Sequence, residues 1–183
     1  MKLTETTIRG VAIAETTSRG DHRGVFTRLY CERELEPAVG QRRIAQINRS
    51  VTRAAGAVRG MHYQNPPHAE MKLVRCLRGR VWDVAVDLRA GSPTFLKWTA
   101  QELSADNNLM FMIPEGCAHG FQVLEENSEL LYLHTEFYAA GAEAGFSPSD
   151  PAVGISWPLP IIDLSERDRS HPSLTTAFTG IVV

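Results

Sequence analysis

Hydrophobic and polar positions alternate along most of this chain, in runs too short for helices. Residues 3 to 14 alternate loosely through Leu3, Ile8, Val11 and Ile13, which predicts a first pair of strands. Val81 to Leu88 is the most regular run. Trp82, Val84, Val86 and Leu88 share one face, with Asp83 and Asp87 on the other, so the pattern predicts a strand with an apolar inner face. Arg43–Ser50, Phe95–Leu103, Leu109–Ile113, Cys117–Leu124 and Leu130–Tyr138 read as further strands. They are separated by turns at Gly91-Ser92-Pro93-Thr94, Asp106-Asn107-Asn108 and Pro114-Glu115-Gly116. Cys31 to Gly40 reads as a short helix interrupted by Pro37, and Ser165-Glu166-Arg167-Asp168 opens another. Many short strands with few helical periods predict an all-β sandwich or barrel.

Composition narrows the class. With 183 residues, 43% hydrophobic and 22% charged, the chain suits one globular domain spanning 1–183. A formal net charge of -2 argues against nucleic acid as the main partner, because no basic excess exists to neutralise phosphates. Cys31, Cys76 and Cys117 are odd in number and widely spaced, which suits free thiols in a reducing cytoplasm better than a disulfide framework. No apolar run approaches the ~20 residues that span a bilayer, and the N-terminus carries no apolar signal core.

The chemistry gathers between Arg59 and Lys72, where arginine, two histidines, glutamate and lysine crowd beside a Pro-Pro turn. His62 is the natural base, since imidazole is poised near neutral pH without perturbation. Arg59 and Lys72 suit an anionic partner. His62 and His119 are read as centres of two turns on adjacent hairpins, both able to reach the mouth of a small barrel. Neither has the companion ligands of a metal site, so no metal is expected. Gln46 and Asn48 fall on one strand face, which fits either a ligand contact or a solvated edge. Tyr132 and Tyr138 fit core packing, or an acid beside a base. Arg23 and Arg28 flank a polar Gly turn, five positions apart and so on opposite faces of a regular strand.

The run Arg59-Gly-Met-His-Tyr-Gln-Asn-Pro-Pro-His-Ala-Glu-Met-Lys-Leu-Val-Arg resembles the dTDP-4-dehydrorhamnose 3,5-epimerase family. So do Asp21-His-Arg-Gly-Val-Phe, Gln46-Ile-Asn, Asp83-Val-Ala-Val-Asp-Leu-Arg, Ile113-Pro-Glu-Gly-Cys-Ala-His-Gly-Phe and Asp150-Pro. The likeness covers roughly residues 20 to 170. It implies a cupin jelly roll that works as a homodimer on a dTDP-sugar, without metal or other cofactor. It also implies roles. His62 would be the general base, oriented by Asp168, with Tyr132 as proton donor on the opposite side of the sugar and Lys72 at the enolate oxygen. Arg23, Gln46, Asn48, Arg59, His119 and Glu143 would hold the sugar nucleotide, and Tyr138 would stack near thymine. Three positions depart from the common pattern: Arg28 stands where many members have glutamate, Leu133 where lysine is frequent, and Phe146-Ser147 replaces an aromatic-containing run. Arg28 thereby puts a positive charge near the expected substrate.

The chemistry agrees with the likeness. Both C3 and C5 of a 4-keto-6-deoxyhexose lie next to the ketone, so removing either proton gives an enolate. Inversion then needs a base, an acid on the other face and a donor at the ketone oxygen. The alternatives are an epimerase of one centre only, a non-catalytic sugar-nucleotide-binding cupin, and a metal-dependent cupin.

Overall fold

Alternating runs become antiparallel strands in the computed structural model, which describes every residue from Met1 to Val183. In chain order they are β1 (Lys2–Glu5), β2 (Ala12–Glu15), β3 (Arg19–Asp21), β4 (Gly24–Phe26) and, after helix α1 (Glu32–Val39), β5 (Gln46–Thr52). There follow β6 (Val58–Gln64), β7 (Lys72–Arg78), β8 (Arg80–Asp87), β9 (Trp98–Ser104) and β10 (Leu109–Ile113). The last are β11 (Cys117–Val123), β12 (Ser128–His134), β13 (Glu143–Gly145) and helix α2 (Glu166–Ser170). One sheet runs β1-β2-β10-β7-β12-β5 and the other β13-β6-β11-β8-β9, with β3 and β4 forming a separate hairpin. Two antiparallel sheets face to face make a cupin-type sandwich, the expected all-β fold.

Three apolar layers hold it. Between the sheets lie Val74, Val81, Ala85, Leu103, Phe111 and Phe121, with Ile8 and Val11 from the N-terminal segment. Outside the six-stranded sheet, Leu35 and Val39 of α1 pack on Leu73, Met110, Met112 and Leu133. Pro37 does not interrupt α1, which runs to Val39 and closes at Gly40, whose φ of 63° suits glycine. Outside the five-stranded sheet, Val84, Val86 and Leu88 pack with Phe146, Val153 and Ile181.

That third layer reverses the expectation for β8. Trp82, Val84, Val86 and Leu88 face outward beneath the C-terminal segment, while Val81 and Ala85 face the inter-sheet core. Asp83 lies on that same inward face, between Val81 and Ala85, and is fully buried against His119. Both faces of β8 are covered, so the more apolar face did not mark the inner one. β9 also starts later than Phe95, because residues 92 to 97 fold into a turn anchored on Asp87, which accepts from Ser92 and Thr94 hydroxyls at 2.6 Å each. His62 and His119 do not sit in turns. They lie inside β6 and β11 and pair directly across the ladder.

The C-terminal segment is stitched to the same two strands. Val58 donates to the Asp163 carbonyl at 3.0 Å, and Gln122 exchanges hydrogen bonds with the Leu159 backbone at 2.8 and 2.9 Å. This fixes α2 over the end of β6 that carries His62.

Candidate active site

A cleft of about 480 Å³ opens between the sheets, lined by both. From the five-stranded side, β6 presents His62 and Arg59, β11 presents His119, and β13 presents Glu143. From the six-stranded side, β5 presents Gln46 and Asn48, β7 Lys72 and β12 Tyr132. Asp168 comes from α2, and Tyr138 lies beyond the end of β12. Ten of the twelve residues expected at the site therefore share one cavity.

His62 Nε2 lies 2.6 Å from Asp168 Oδ1. Asp168 is 3% exposed, and its other oxygen accepts from the Gly60 N–H at 3.3 Å. Its own N–H donates to the Ser165 hydroxyl, which caps α2 at 3.0 Å. Burial alone would push the Asp168 carboxyl up, but the bonds and charge from His62 and the Gly60 and Ser165 contacts outweigh it. The group sits below the usual carboxylate range and stays charged.

Across the cleft, Lys72 Nζ lies 3.0 Å from Glu70 Oε1, and Glu70 Oε2 lies 2.7 Å from His134 Nδ1. Burial pushes Glu70 up as well, yet His134 and Lys72 hold it below its ordinary value, so Lys72 keeps an anionic anchor. The Tyr132 ring stacks on His134 and meets His119 edge-on, with centroids 5.8 Å apart in both cases. Burial, followed by the nearby Asp83, raises the Tyr132 phenol well above its ordinary value, so it keeps its proton. His119 Nε2 is held by Asp83 Oδ1 at 2.8 Å. At the rim, Arg59 donates to the Thr52 hydroxyl at 2.9 Å, and the Tyr138 hydroxyl donates to Glu143 at 2.8 Å.

Arg23 and Arg28 are not brought to this cavity. Arg23 is 78% exposed at the β3–β4 turn and pairs with Asp21 at 2.7 Å. Arg28 follows that hairpin and forms an ion pair with Glu34 of α1. The positive charge at position 28 is therefore met by a carboxylate away from the cleft of its own chain.

Five contributors escaped the sequence reading as site residues: Glu70, Asp83, His134, Arg167 and His171. His134 follows Tyr132 by two on the same strand, and Glu70 precedes Lys72 by two, so proximity was a usable signal for both. His171 brings a third donor within 4.8 Å of those of His62 and Asp168. The Arg167 guanidinium stands 3.4 Å from His62 Nε2 and 3.8 Å from Asp168 Oδ1, so two of these three donors already face a positive charge. The cluster fits proton transfer better than metal binding.

Residues 5–176 match the family model described as dTDP-4-dehydrorhamnose 3,5-epimerase. A relative of that name from Pseudomonas aeruginosa is 44% identical over 97% of this chain and 98% of its own. A dTDP-4-dehydrorhamnose 3-epimerase from Streptomyces niveus is 38% identical over 97% of this chain and 86% of its own. The solved dTDP-6-deoxy-D-glucose-3,5-epimerase of Legionella pneumophila, in complex with dTDP-4-keto-L-rhamnose, superposes with a TM-score of 0.92 at 36% identity, covering 100% of this chain and 98% of that one. Fold, cleft and likeness together define an isomerase on a cupin scaffold. The chain belongs to the dTDP-4-dehydrorhamnose 3,5-epimerase family. Among its helices, none is long and apolar enough to cross a membrane.

Proposed function

We propose that this protein inverts C3 and C5 of dTDP-4-dehydro-6-deoxyglucose by enolate formation and reprotonation, in the formation of a dTDP-L-rhamnose-type sugar. The supporting observation is that the base and the acid stand on opposing sheets, His62 on β6 and Tyr132 on β12, with one cavity between them. A hexose ring lying between the sheets presents one face to each.

His62, paired with anionic Asp168, removes a proton next to the ketone. Electron density moves to the ketone oxygen, where the Lys72 ammonium, anchored by Glu70, stabilises it. Tyr132 returns a proton to the opposite face. One inversion leaves the proton on His62 and a phenolate at Tyr132, and exchange with solvent resets both. Arg59, Gln46, Asn48 and His119 line the same cavity and suit the nucleotide and sugar hydroxyls, while Tyr138 offers an aromatic face at the rim. No step calls for a metal or an organic cofactor.

The working unit in this reading is a homodimer. The β3–β4 hairpin carries Val25 and Phe26, 72% and 73% exposed, beside Arg23. An exposed arm with two large apolar side chains is suited to a second copy. Arg23 then serves the cleft of that copy.

Incubation with the 4-keto sugar nucleotide in heavy water, with both carbons followed by NMR, tests the reaction. Deuterium at C3 and C5 with inverted configuration is expected. Entry and inversion at one carbon alone would make the protein a single-centre epimerase, as the name of the Streptomyces niveus relative describes for that protein. Entry at neither carbon would remove the proposal.

A further inference from the structure

His171 follows the last turn of α2 and stands behind the His62–Asp168 pair. Its Nε2 lies 4.0 Å from Asp168 Oδ1, the same oxygen that His62 Nε2 meets at 2.6 Å. The two imidazoles meet edge to face, with centroids 5.6 Å apart. The space for His171 exists because residue 145 is glycine. A Cβ there would stand 2.5 Å from His171 Nε2, and Gly145 is itself the ladder partner of His62. His171 Nε2 is buried and has no hydrogen-bond partner, an expensive state for a ring nitrogen unless it has a use.

We propose that His171 is a positioning residue for the base: it directs an Nε2–H toward Asp168 Oδ1, so that this oxygen is held between two imidazoles. The contact is long in the free protein. It closes when substrate fills the cleft, as catalytic hydrogen bonds commonly do. Fixing Oδ1 fixes the orientation of the His62 ring. The groups facing His171 are His62, Asp168, Arg167 and Glu143. Burial first, then His62, holds its pKa below that of an ordinary histidine, so it is neutral at neutral pH and adds no positive charge beside the base.

For its activity arm the inference rests on the epimerase reading. A first arm needs no substrate. NMR titration of the imidazoles should place the His171 midpoint below that of a free histidine, with its neutral form protonated at Nε2. Asp168→Asn should lower that midpoint further, because a stabilising negative charge is lost. An unmoved midpoint, or a neutral form protonated at Nδ1, would overturn the proposal. The second arm compares His171→Gln with His171→Phe. Glutamine keeps an N–H donor, whereas phenylalanine keeps only the bulk of the ring. Donation predicts an unchanged KM in both, with kcat down about tenfold or more in His171→Phe and partly restored in His171→Gln. The reverse order, phenylalanine matching wild type and glutamine failing, would show that the ring merely fills space and would overturn the proposal. A wild type that leaves the sugar nucleotide untouched, with the NMR coupling intact, would count against the epimerase reading while upholding the placement of His171.

Discussion

Tyr132 and Asp168 show how side chains of one cleft are held in opposite protonation states. Burial keeps the proton on the phenol, and hydrogen bonds keep it off the carboxyl. Those states predict how two variants part company. His62→Ala should abolish deuterium entry at both carbons, since no enolate forms without the base. Tyr132→Phe should still exchange with retention, because His62 can return a solvent proton to the face it came from, while inversion falls by roughly 10²–10⁴-fold. Inversion at the wild-type rate in Tyr132→Phe, or exchange in His62→Ala, would place the acid or base elsewhere. The raised phenol pKa has a definite sign as well. An acid must be protonated to act, so a pKa above the ordinary 10.0 extends its working range upward. Inversion should therefore track exchange to pH values near that of a free phenol. Inversion that collapses well below it while exchange continues would contradict this assignment. Most of these residues were legible in the sequence, because their types cluster from Arg59 to Lys72 and their motifs resemble a family. His171 was not. Its meaning comes through Asp168, three positions before it, from His62, which stands 106 positions before Asp168.

Helix α2 has five residues, too few to persist without tertiary support, and its cap is part of the site. Ser165→Ala removes the acceptor for the Asp168 N–H and should cost about 1 kcal/mol, or roughly 2–4 °C in Tm for a chain of this size. Because the same bond orients Asp168, kcat should fall at temperatures where the variant is fully folded. Unchanged kcat beside a lowered Tm would mean that the cap serves stability alone. The β8–β9 connection offers a second case. Asp87 accepts from Arg89, Ser92 and Thr94, and burial, which would raise its carboxyl, is outweighed so that the group sits far below the usual range. A depressed pKa contributes stability above the unfolded value, and that contribution is lost as pH falls through the folded one. Asp87→Asn should thus cost about 2–3 kcal/mol at pH 7, with the gap to wild type closing as the medium drops below the ordinary carboxylate range. Denaturant midpoints at several pH values would check it; a gap independent of pH would mean the charge is not the cause. Alternation located most strands, but the inner face of β8 was misread. Alternation reports the contrast between faces and does not say which covering layer lies inside. Here the outer layer is supplied by Phe146, Val153 and Ile181, which no local pattern connects to β8.

At the scale of the whole molecule, the β3–β4 hairpin sets where Arg23 acts. In a single chain it stands on an exposed hairpin outside the cleft, with Val25 and Phe26 projecting beside it. An isologous dimer that exchanges hairpins would bring Arg23 of one copy to the His62 of the other, making each site a product of two chains. Mixing separates this arrangement from a site complete within one chain. Arg23→Ala and His62→Ala should each be severely impaired alone. After mixing and subunit exchange, about half of the dimers are mixed, and each mixed dimer contains one site with both residues intact. Activity should then recover to about a quarter of the wild-type value, from the symmetry of a two-fold assembly. Sedimentation should show a dimer, and Phe26→Asp should shift it toward monomer while weakening substrate binding. If the mixture is no more active than its components although sedimentation shows exchanged dimers, Arg23 does not complete a neighbour's site, and the hairpin has another use.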